Sequence, residues 1–345
     1  MSPPQATPLQ FDPSRTQPPY PLHPSIEPRL DPVYRDFYNA HIFDKQQVHL
    51  QPVAASRTSG VLIPGGGAAP PVGSVRDYSI KRQETDGPDV RVRTFTPEGE
   101  APAAGWPVAV WYHGGGWVLG NIDTENTVSA NLCSRARWVV VSPDYRLGPE
   151  HPYPAAVHDS WETLLWLQGE GKALLNLDLG KQVVAGSSAG GNLAAIVAQR
   201  ALARGGAPPL LAQFLCVPVT DNTADTTNSA SWKELEFTPA LPAKKMLWYR
   251  YHYLPNKEDW AHPESSPLLW EGDWSKLPPA IVTVGELDVL RDEGVQFAEK
   301  LRKAGVEAEL HVMKGMPHPF LAMDGVLQQG RDTITFMVEG LKRLS

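Results

Sequence analysis

The pentapeptide Gly186-Ser187-Ser188-Ala189-Gly190 fits the pattern Gly-x-Ser-x-Gly, in which the central serine can act as a nucleophile. It follows a short apolar run and precedes a helical run, so Ser188 is predicted to lie on a sharp turn from a strand into a helix. Such a turn strains the backbone at the serine and requires small neighbours two positions away, which Gly186 and Gly190 provide. The N-terminus of the next helix would direct its partial positive charge at an oxyanion beside Ser188.

A second segment that could take part in catalysis is His-Gly-Gly-Gly-Trp at 113–117, directly after the apolar run 107–112. Three glycines at a strand end let the backbone approach a substrate and turn its N–H groups inward. Acyl transfer requires such donors about 3 Å from the oxygen that becomes negative. Because the nucleophile motif lies downstream, we interpret 113–117 as this donor loop and not as an ordinary tight turn.

A nucleophilic serine also needs a base, and the base needs an orienting group. His318 follows the run 309–315, and Pro317 and Pro319 place it on a loop. Asp288 follows the run 280–285 and precedes a helix, so the chain order is Ser188, Asp288, His318. All three would then lie at the carboxyl ends of strands, where sites form in open α/β sheets. Taken singly, Asp288 could be a helix N-cap and His318 a surface loop residue.

The elements around these residues predict an α/β sheet. Residues 75–84 and 89–98 alternate between apolar and polar side chains, as in an antiparallel pair of strands. Six nearly continuous apolar runs follow, which is typical of strands buried on both faces of a parallel sheet. They are residues 107–112, 138–143, 182–186, 211–219, 280–285 and 309–315. Helical patterns separate several of these runs, so we expect helices on both faces of the sheet.

Two parts of the chain depart from this rhythm. Ten of the 34 prolines lie in the first 32 residues, which we expect to form no regular structure, and 31–51 could supply one or two short helices. Residues 59–73 are rich in Gly and Pro and predict a flexible connector.

About sixty residues separate the runs ending at Val219 and beginning at Ala280, and they include five of the eleven tryptophans. We interpret 223–275 as an inserted lid, the alternative being one crossover helix with long loops.

Composition excludes several classes of protein. The chain has 345 residues, 42% of them hydrophobic and 20% charged, which suits one large or two modest globular domains. Its net charge is −7 and it has no basic cluster, so we expect no nucleic-acid partner. Cys133 and Cys216 form neither a disulfide framework nor a metal-ligand spacing. We find no signal-peptide pattern and no apolar stretch long enough for a membrane span, so we expect a cytoplasmic protein.

Five motifs resemble the hormone-sensitive-lipase-like branch of the α/β hydrolases, in the order and near the spacings of that family. They are HGGGW at 113–117, DYRLGPEHPYPAA at 144–156, GSSAGG at 186–191, GELDVLRDEG at 285–294 and GMPHPF at 315–320. The resemblance covers about 75–345. It implies an α/β-hydrolase fold, with a mostly parallel eight-stranded sheet, helices on both faces and a mainly helical cap. The implied division is a catalytic domain at 71–222 and 276–345, a cap insertion at 223–275 and a cap contribution from 1–70.

The resemblance also implies hydrolysis of carboxylic esters through a covalent acyl-serine, with no metal or organic cofactor. Ser188 would be the nucleophile, His318 the general base and then acid, and Asp288 the orienting carboxylate. The implied oxyanion hole is formed by the N–H groups of Gly115, Gly116 and Ala189.

Four positions depart from the family pattern, and none of them removes a catalytic group. Ser187 stands where the family more often has Asp or Thr, and Pro319 where a small residue is common. Gly148 replaces a frequent Ala, and Val289 a frequent Pro. Because Ser187 and Pro319 adjoin the predicted site, they bear on substrate preference more than on activity.

Aromatic residues near the motifs and in the predicted lid suggest an apolar pocket for small or medium acyl groups and bulky or aromatic alcohols. The pocket candidates are Trp117, Phe237, Trp248, Tyr249 and Phe320. We expect a small-molecule ester as the partner, and the sequence allows a homodimer. The same triad could hydrolyse amides or lactones, or transfer an acyl group to another alcohol. A non-catalytic receptor on this fold is disfavoured, because family-like receptors lack the histidine that His318 provides here.

Overall fold

An eight-stranded sheet forms the centre of the structure, a computed structural model in which residues 10–58, 63–205 and 209–345 are described. The strands are β1 (Ser74–Ile80), β2 (Val90–Thr96), β3 (Trp106–Tyr112), β4 (Val139–Pro143), β5 (Leu177–Ser187), β6 (Leu210–Cys216), β7 (Ala280–Gly285) and β8 (Ala308–Met313). Their order across the sheet is β1-β2-β4-β3-β5-β6-β7-β8. The pairs β1–β2 and β2–β4 are antiparallel, and all other neighbouring pairs are parallel. The predicted mostly parallel eight-stranded sheet is therefore confirmed.

The burial of each strand explains its sequence pattern. Every residue of β3, β4 and β7 is buried, which explains why the sequences of these strands are nearly continuous apolar runs. The edge strand β1 is mostly exposed and carries alternating polar residues. The carboxyl ends of β5, β7 and β8 lie at one edge of the sheet, because the three strands are parallel.

Helices cover both faces of the sheet, as predicted. One layer contains α3 and α10, which pack against each other, and the other contains α4 and α6. The helices in chain order are α1 (Pro32–His41), α2 (Val53–Thr58), α3 (Asn126–Ala136), α4 (Ala155–Gln168), α5 (Glu170–Leu175), α6 (Ala189–Ala203), α7 (Ala230–Glu234), α8 (Ala243–Tyr253), α9 (Arg291–Lys303) and α10 (Gln328–Arg343).

The proline-rich leader is held against the rest of the chain. Residues 10–26 form neither helix nor strand, but a short 3-10 helix at Glu27–Arg29 corrects the prediction of no regular structure before residue 32. This helix accommodates a proline in its first turn, where a backbone N–H has no partner within the helix. The segment buries Tyr20, Leu22 and Ile26. Residues 1–9 of the leader and 59–62 of the predicted connector lie outside the described residues.

About half of the interval 223–275 is helical. It contains α7, α8 and three short 3-10 helices, at Lys257–Ala261, Pro267–Leu269 and Trp274–Lys276. Two of its tryptophans enclose a cation, since the guanidinium carbon of Arg250 lies 5.1 Å from the ring centre of Trp232 and 5.0 Å from that of Trp260. These tryptophans therefore pack within the interval itself.

Candidate active site

Ser188 lies on the sharp turn between the last residue of β5 and the first residue of α6. Its backbone has φ 54° and ψ −116°, a conformation that L-residues rarely adopt. Gly190 has no side chain because a Cβ there would overlap the carbonyl oxygen of Tyr112 on the neighbouring strand. The Ser188 N–H donates to the Cys216 carbonyl at 2.8 Å, which fixes the turn against β6.

The structure brings Ser188, His318 and Asp288 into one hydrogen-bonded chain. Nε2 of His318 lies 2.8 Å from Oγ of Ser188, and Nδ1 of His318 lies 2.7 Å from Oδ2 of Asp288. The Asp288 carboxylate is fully buried, and its other oxygen accepts the Leu290 N–H at 3.0 Å. Because an ionised carboxylate only accepts hydrogen bonds, Nδ1 carries the proton and Nε2 accepts from the serine hydroxyl. This arrangement can remove the proton from Ser188.

The glycine loop after β3 turns back toward Ser188. Gly115 and Gly116 have φ of 122° and 62°, and a Cβ on Gly116 would overlap the ring of Tyr249. Within the described parts of the chain, no hydrogen bond uses the N–H groups of Gly115, Gly116 or Ala189. These are the three groups predicted for the oxyanion hole, and they are free to bind an added oxygen.

His113, the first residue of the loop, is a structural residue. Its ring is fully buried, stacks on Tyr145 at 4.2 Å between ring centres, and places Nδ1 2.6 Å from the Gly114 carbonyl. Burial lowers the pKa of His113 to about 4, so the ring stays neutral near pH 7.

Sequence reasoning missed Glu125, which joins the glycine loop to the nucleophile turn. Its carboxylate accepts the Ser187 hydroxyl at 2.6 Å, the Trp111 Nε1–H at 3.1 Å and the Gly114 N–H at 3.2 Å. Burial raises the pKa of Glu125, while these hydrogen bonds oppose the shift. The hint in the sequence was indirect, since Ser187 departs from the family's usual residue, and it did not point to Glu125 itself.

A cavity of about 550 Å³ opens at Ser188 and His318. Its wall comes from the N-terminal segment, the glycine loop, the chain around α8 and the loop after His318. Apolar side chains contributed by these parts include Ile42, Ile63, Leu241, Met246 and Leu321.

Of the five aromatic pocket candidates, Tyr249 lines this cavity and the other four do not. Trp117 is fully buried and stacks on Tyr253 at 4.4 Å between ring centres. Trp248 packs edge-on against Tyr249, and Phe320 is fully buried in a 3-10 helix.

The fourth, Phe237, stacks on His23 and lines a separate cavity of about 280 Å³ between the leader and residues 236–244. The placement of these four rings was wrong because their large apolar area is used to pack the loops that surround the cavity.

The described residues contain no cluster of three or more His, Cys, Asp or Glu side chains that could hold a metal ion. Within the same residues, no helix combines the length and apolar character needed to cross a membrane.

Comparisons with known proteins agree with this geometry. A family described as alpha/beta hydrolase fold matches residues 109–322. The chain is 45% identical over 317 residues to an AB hydrolase superfamily protein of Schizosaccharomyces pombe, covering 90% of this chain and 93% of that one. It is 39% identical over 257 residues to the carboxylesterase NlhH of Mycobacterium tuberculosis, covering 74% and 78% of the two chains.

Solved structures agree as well. An esterase from Pyrobaculum calidifontis superimposes with a TM-score of 0.79 at 32% identity, covering 91% of this chain and 99% of its own. With its fold, motif order and relatives in agreement, the chain belongs to the α/β-hydrolase family, in the hormone-sensitive-lipase-like branch, and is a carboxylic ester hydrolase.

Proposed function

We propose that Ser188 attacks the ester carbonyl, with His318 as general base and then acid and Asp288 as the orienting carboxylate. The observation that carries this proposal is the continuous hydrogen-bonded chain from Ser188 Oγ through the His318 ring to the buried Asp288, with Ser188 and His318 lining the cavity. Asp288 would keep the ring in the tautomer whose Nε2 accepts a proton, and would stabilise the imidazolium once it forms.

Hydrolysis would proceed in two steps. Oγ of Ser188 forms a bond to the carbonyl carbon as its proton moves to Nε2 of His318. The carbonyl oxygen becomes an oxyanion, which accepts hydrogen bonds from the N–H groups of Gly115, Gly116 and Ala189. The tetrahedral intermediate collapses, and His318 returns the proton to the departing alcohol. Water then gives a proton to His318 and attacks the carbonyl carbon of the acyl-serine. The second tetrahedral intermediate collapses by breaking the bond between that carbon and Oγ, which releases the acid, and His318 returns the proton to Oγ of Ser188.

For the substrate, we propose esters of small or medium acyl groups, with room for a bulky or aromatic alcohol. The cavity volume and its apolar walls support this size class. Relatives named as an ethyl acetate hydrolase of Pseudomonas putida and an arylesterase of Saccharolobus solfataricus are consistent with it. Amide or lactone hydrolysis and acyl transfer use the same triad, and a panel of esters, amides and lactones of matched size separates them.

We also propose that residues 1–70 and 223–275 form a cap over a catalytic domain at 71–222 and 276–345. Its support is that Ile42, from the first segment, and Tyr249, from the second, line the same cavity as Ser188. A homodimer and a cytoplasmic location stay predictions from the sequence.

Replacement of Ser188 tests the nucleophile directly. We expect Ser188→Ala to lower kcat for 4-nitrophenyl butyrate by roughly 10⁴-fold or more, because no other hydroxyl contacts His318 Nε2 among the described residues. A fluorophosphonate should label the wild-type chain on Ser188, as read by peptide mass spectrometry.

The matched control is Ser187→Ala. It removes the adjacent hydroxyl, which is bound to Glu125, and should retain measurable turnover and fluorophosphonate labelling. Full activity in a folded Ser188→Ala variant, as judged by circular dichroism, would contradict the assignment.

A further inference from the structure

Lys245 is one of the residues that line the cavity that contains Ser188 and His318. It lies in the first turn of α8, and its Nζ donates to the Ala240 carbonyl at 2.7 Å. An ammonium group has three N–H donors, and this is the one hydrogen bond that Nζ makes among the described residues. Lys245 therefore has donors available to a molecule in the cavity.

The other charged side chains that line the cavity already have protein partners. Arg57 pairs with Glu150, Asp123 with Arg93, Glu125 with Ser187 and Trp111, and Asp324 with the Gly67 N–H. No ion pair within the described ranges includes Lys245. Burial lowers the pKa of Lys245 to about 8, with no carboxylate opposing the shift.

The surroundings of Lys245 are electropositive. Lys244 is its neighbour in the chain, and both lysines contribute to lowering the pKa of the largely buried His49 to about 3, after burial itself. The N-terminus of α8 adds its own partial positive charge, since Lys245 lies in the first turn of an eleven-residue helix. An anion beside Lys245 would be stabilised by this ammonium group and by the helix N-terminus, whereas the exposed Lys244 lies outside the cavity wall and its charge is screened by solvent.

We propose that Lys245 binds a carboxylate group carried by the substrate, so that the enzyme prefers esters with a free carboxylate to neutral esters of the same size. The inference rests on the proposed function, because it concerns the cavity that serves Ser188. The carboxylate can belong to the acyl part, as in a monoester of a dicarboxylic acid, or to the alcohol part, as in an acylated hydroxy acid. In either case a charge-assisted hydrogen bond to Nζ would hold the far end of the substrate while Ser188 attacks.

Two pairs of substrates distinguish these sources. The acyl arm compares the 4-nitrophenyl monoester of glutaric acid with 4-nitrophenyl valerate, which has the same number of acyl carbons. The alcohol arm compares 3-butyryloxybenzoate with 3-butyryloxybenzamide. The measured quantity is the ratio of kcat/KM for the charged ester to that for its neutral partner, in wild type, Lys245→Met and Lys244→Met.

We expect wild type to favour the charged ester in at least one arm, which identifies the side that bears the carboxylate. Lys245→Met should lower that ratio by about 10-fold or more, which is the usual effect of losing a hydrogen bond to a charged group. Lys244→Met is the matched control, because its side chain is exposed and does not line this cavity, and it should keep the ratio.

The variant Lys245→Gln separates the proposed binding of substrate from the hydrogen bond that Nζ donates to the Ala240 carbonyl. Its amide N–H can still donate to the Ala240 carbonyl but carries no charge, so it should lose the preference as Lys245→Met does. An absent preference in both arms, or equal losses on charged and neutral esters, would overturn the inference. If wild type hydrolyses neutral esters without preference, only this inference fails, whereas no hydrolysis of any ester would contradict the proposed function.

Discussion

Glu125 connects the two loops that hold the proposed reacting groups. One carboxylate oxygen accepts the hydroxyl of Ser187, next to the nucleophile, and the other accepts the N–H of Gly114, next to the oxyanion donors. Its backbone is left-handed, with φ 61°, at the residue that precedes α3. Glu125 therefore links the turn at Ser188 to the glycine loop through Ser187 and Gly114, the neighbours of the proposed reacting groups.

We expect Glu125→Ala to lower kcat by roughly 10- to 100-fold with little change in KM, because a small misplacement of the oxyanion donors acts on the transition state. Glu125→Gln should recover most of the activity, since its amide oxygen can accept from Trp111 and Gly114 while its NH₂ donates to Ser187. Steady-state kinetics on a neutral ester measures both. Equal kcat values for wild type and Glu125→Ala would show that Glu125 does not position the loops.

The same carboxylate gives a second readout in the pH dependence of stability. Burial raises the folded-state pKa of Glu125 above its ordinary value of 4.5, so the folded protein holds this proton more tightly than the unfolded chain. Its contribution to stability is present below about pH 4.5 and is lost as pH rises through the folded pKa. The melting temperature of wild type should therefore fall relative to that of Glu125→Gln over this interval, as measured by calorimetry.

At the scale of elements, helix α1 attaches the N-terminal segment to the catalytic sheet. Asp31 caps the helix by accepting the N–H groups of Val33 at 2.8 Å and Tyr34 at 3.3 Å. The same residue donates its own N–H to the Gly315 carbonyl at 3.1 Å, and its other carboxylate oxygen accepts from Gln329 at 3.0 Å. Asp31 thus connects α1 to α10 and to the loop that leads to His318.

Asp31→Ala should lower the free energy of unfolding by about 1–2 kcal/mol, because two helix N–H groups and the Gln329 amide lose their acceptor. Urea denaturation followed by circular dichroism measures the change. Asp36→Ala is the control on the same helix, because its exposed carboxylate pairs with the neighbouring Arg35. Equal free energies of unfolding for Asp31→Ala and Asp36→Ala would show that the hydrogen bonds of Asp31 do not stabilise the protein.

At the scale of the whole molecule, the cavity is assembled from parts that are distant in sequence. Arg57 of α2 donates to the Val118 and Gly148 carbonyls and pairs with Glu150, which joins the N-terminal segment to two loops of the sheet. Lys245 and Tyr249, which also line the cavity, come from α8. Substrate selection would then depend on both segments together.

Deleting residues 1–32 should therefore lower the melting temperature and change the ratio of kcat/KM between small and bulky esters. The deletion removes the buried side chains of Tyr20, Leu22, Ile26 and Leu30, each worth about 1.5–3 kcal/mol when fully buried. Scanning calorimetry and the ester panel provide the two measurements, with a chain that begins at residue 10 as reference. An unchanged melting temperature and an unchanged ratio of kcat/KM would show that residues 1–32 contribute neither to stability nor to substrate selection.

The sequence alone determined the sheet, the candidate triad and the donor loop. Strands buried on both faces require continuous apolar runs, and Ser188, Asp288 and His318 come one, three and five residues after the strands β5, β7 and β8. Local rules therefore sufficed, because backbone strain, glycine and proline act within a few residues.

Only the tertiary structure decided what surrounds these groups. Aromatic side chains such as Trp117 and Phe320 looked like pocket residues, but whether a ring packs inward or lines a cavity depends on partners far along the chain. Glu125 and Lys245 gave no strong local signal, because a carboxylate or ammonium acquires its role from the burial and charges around it. The surroundings of Glu125 arise when the loops after β3 and β5 meet, and those of Lys245 when residues 10–58 and 223–275 fold against the sheet.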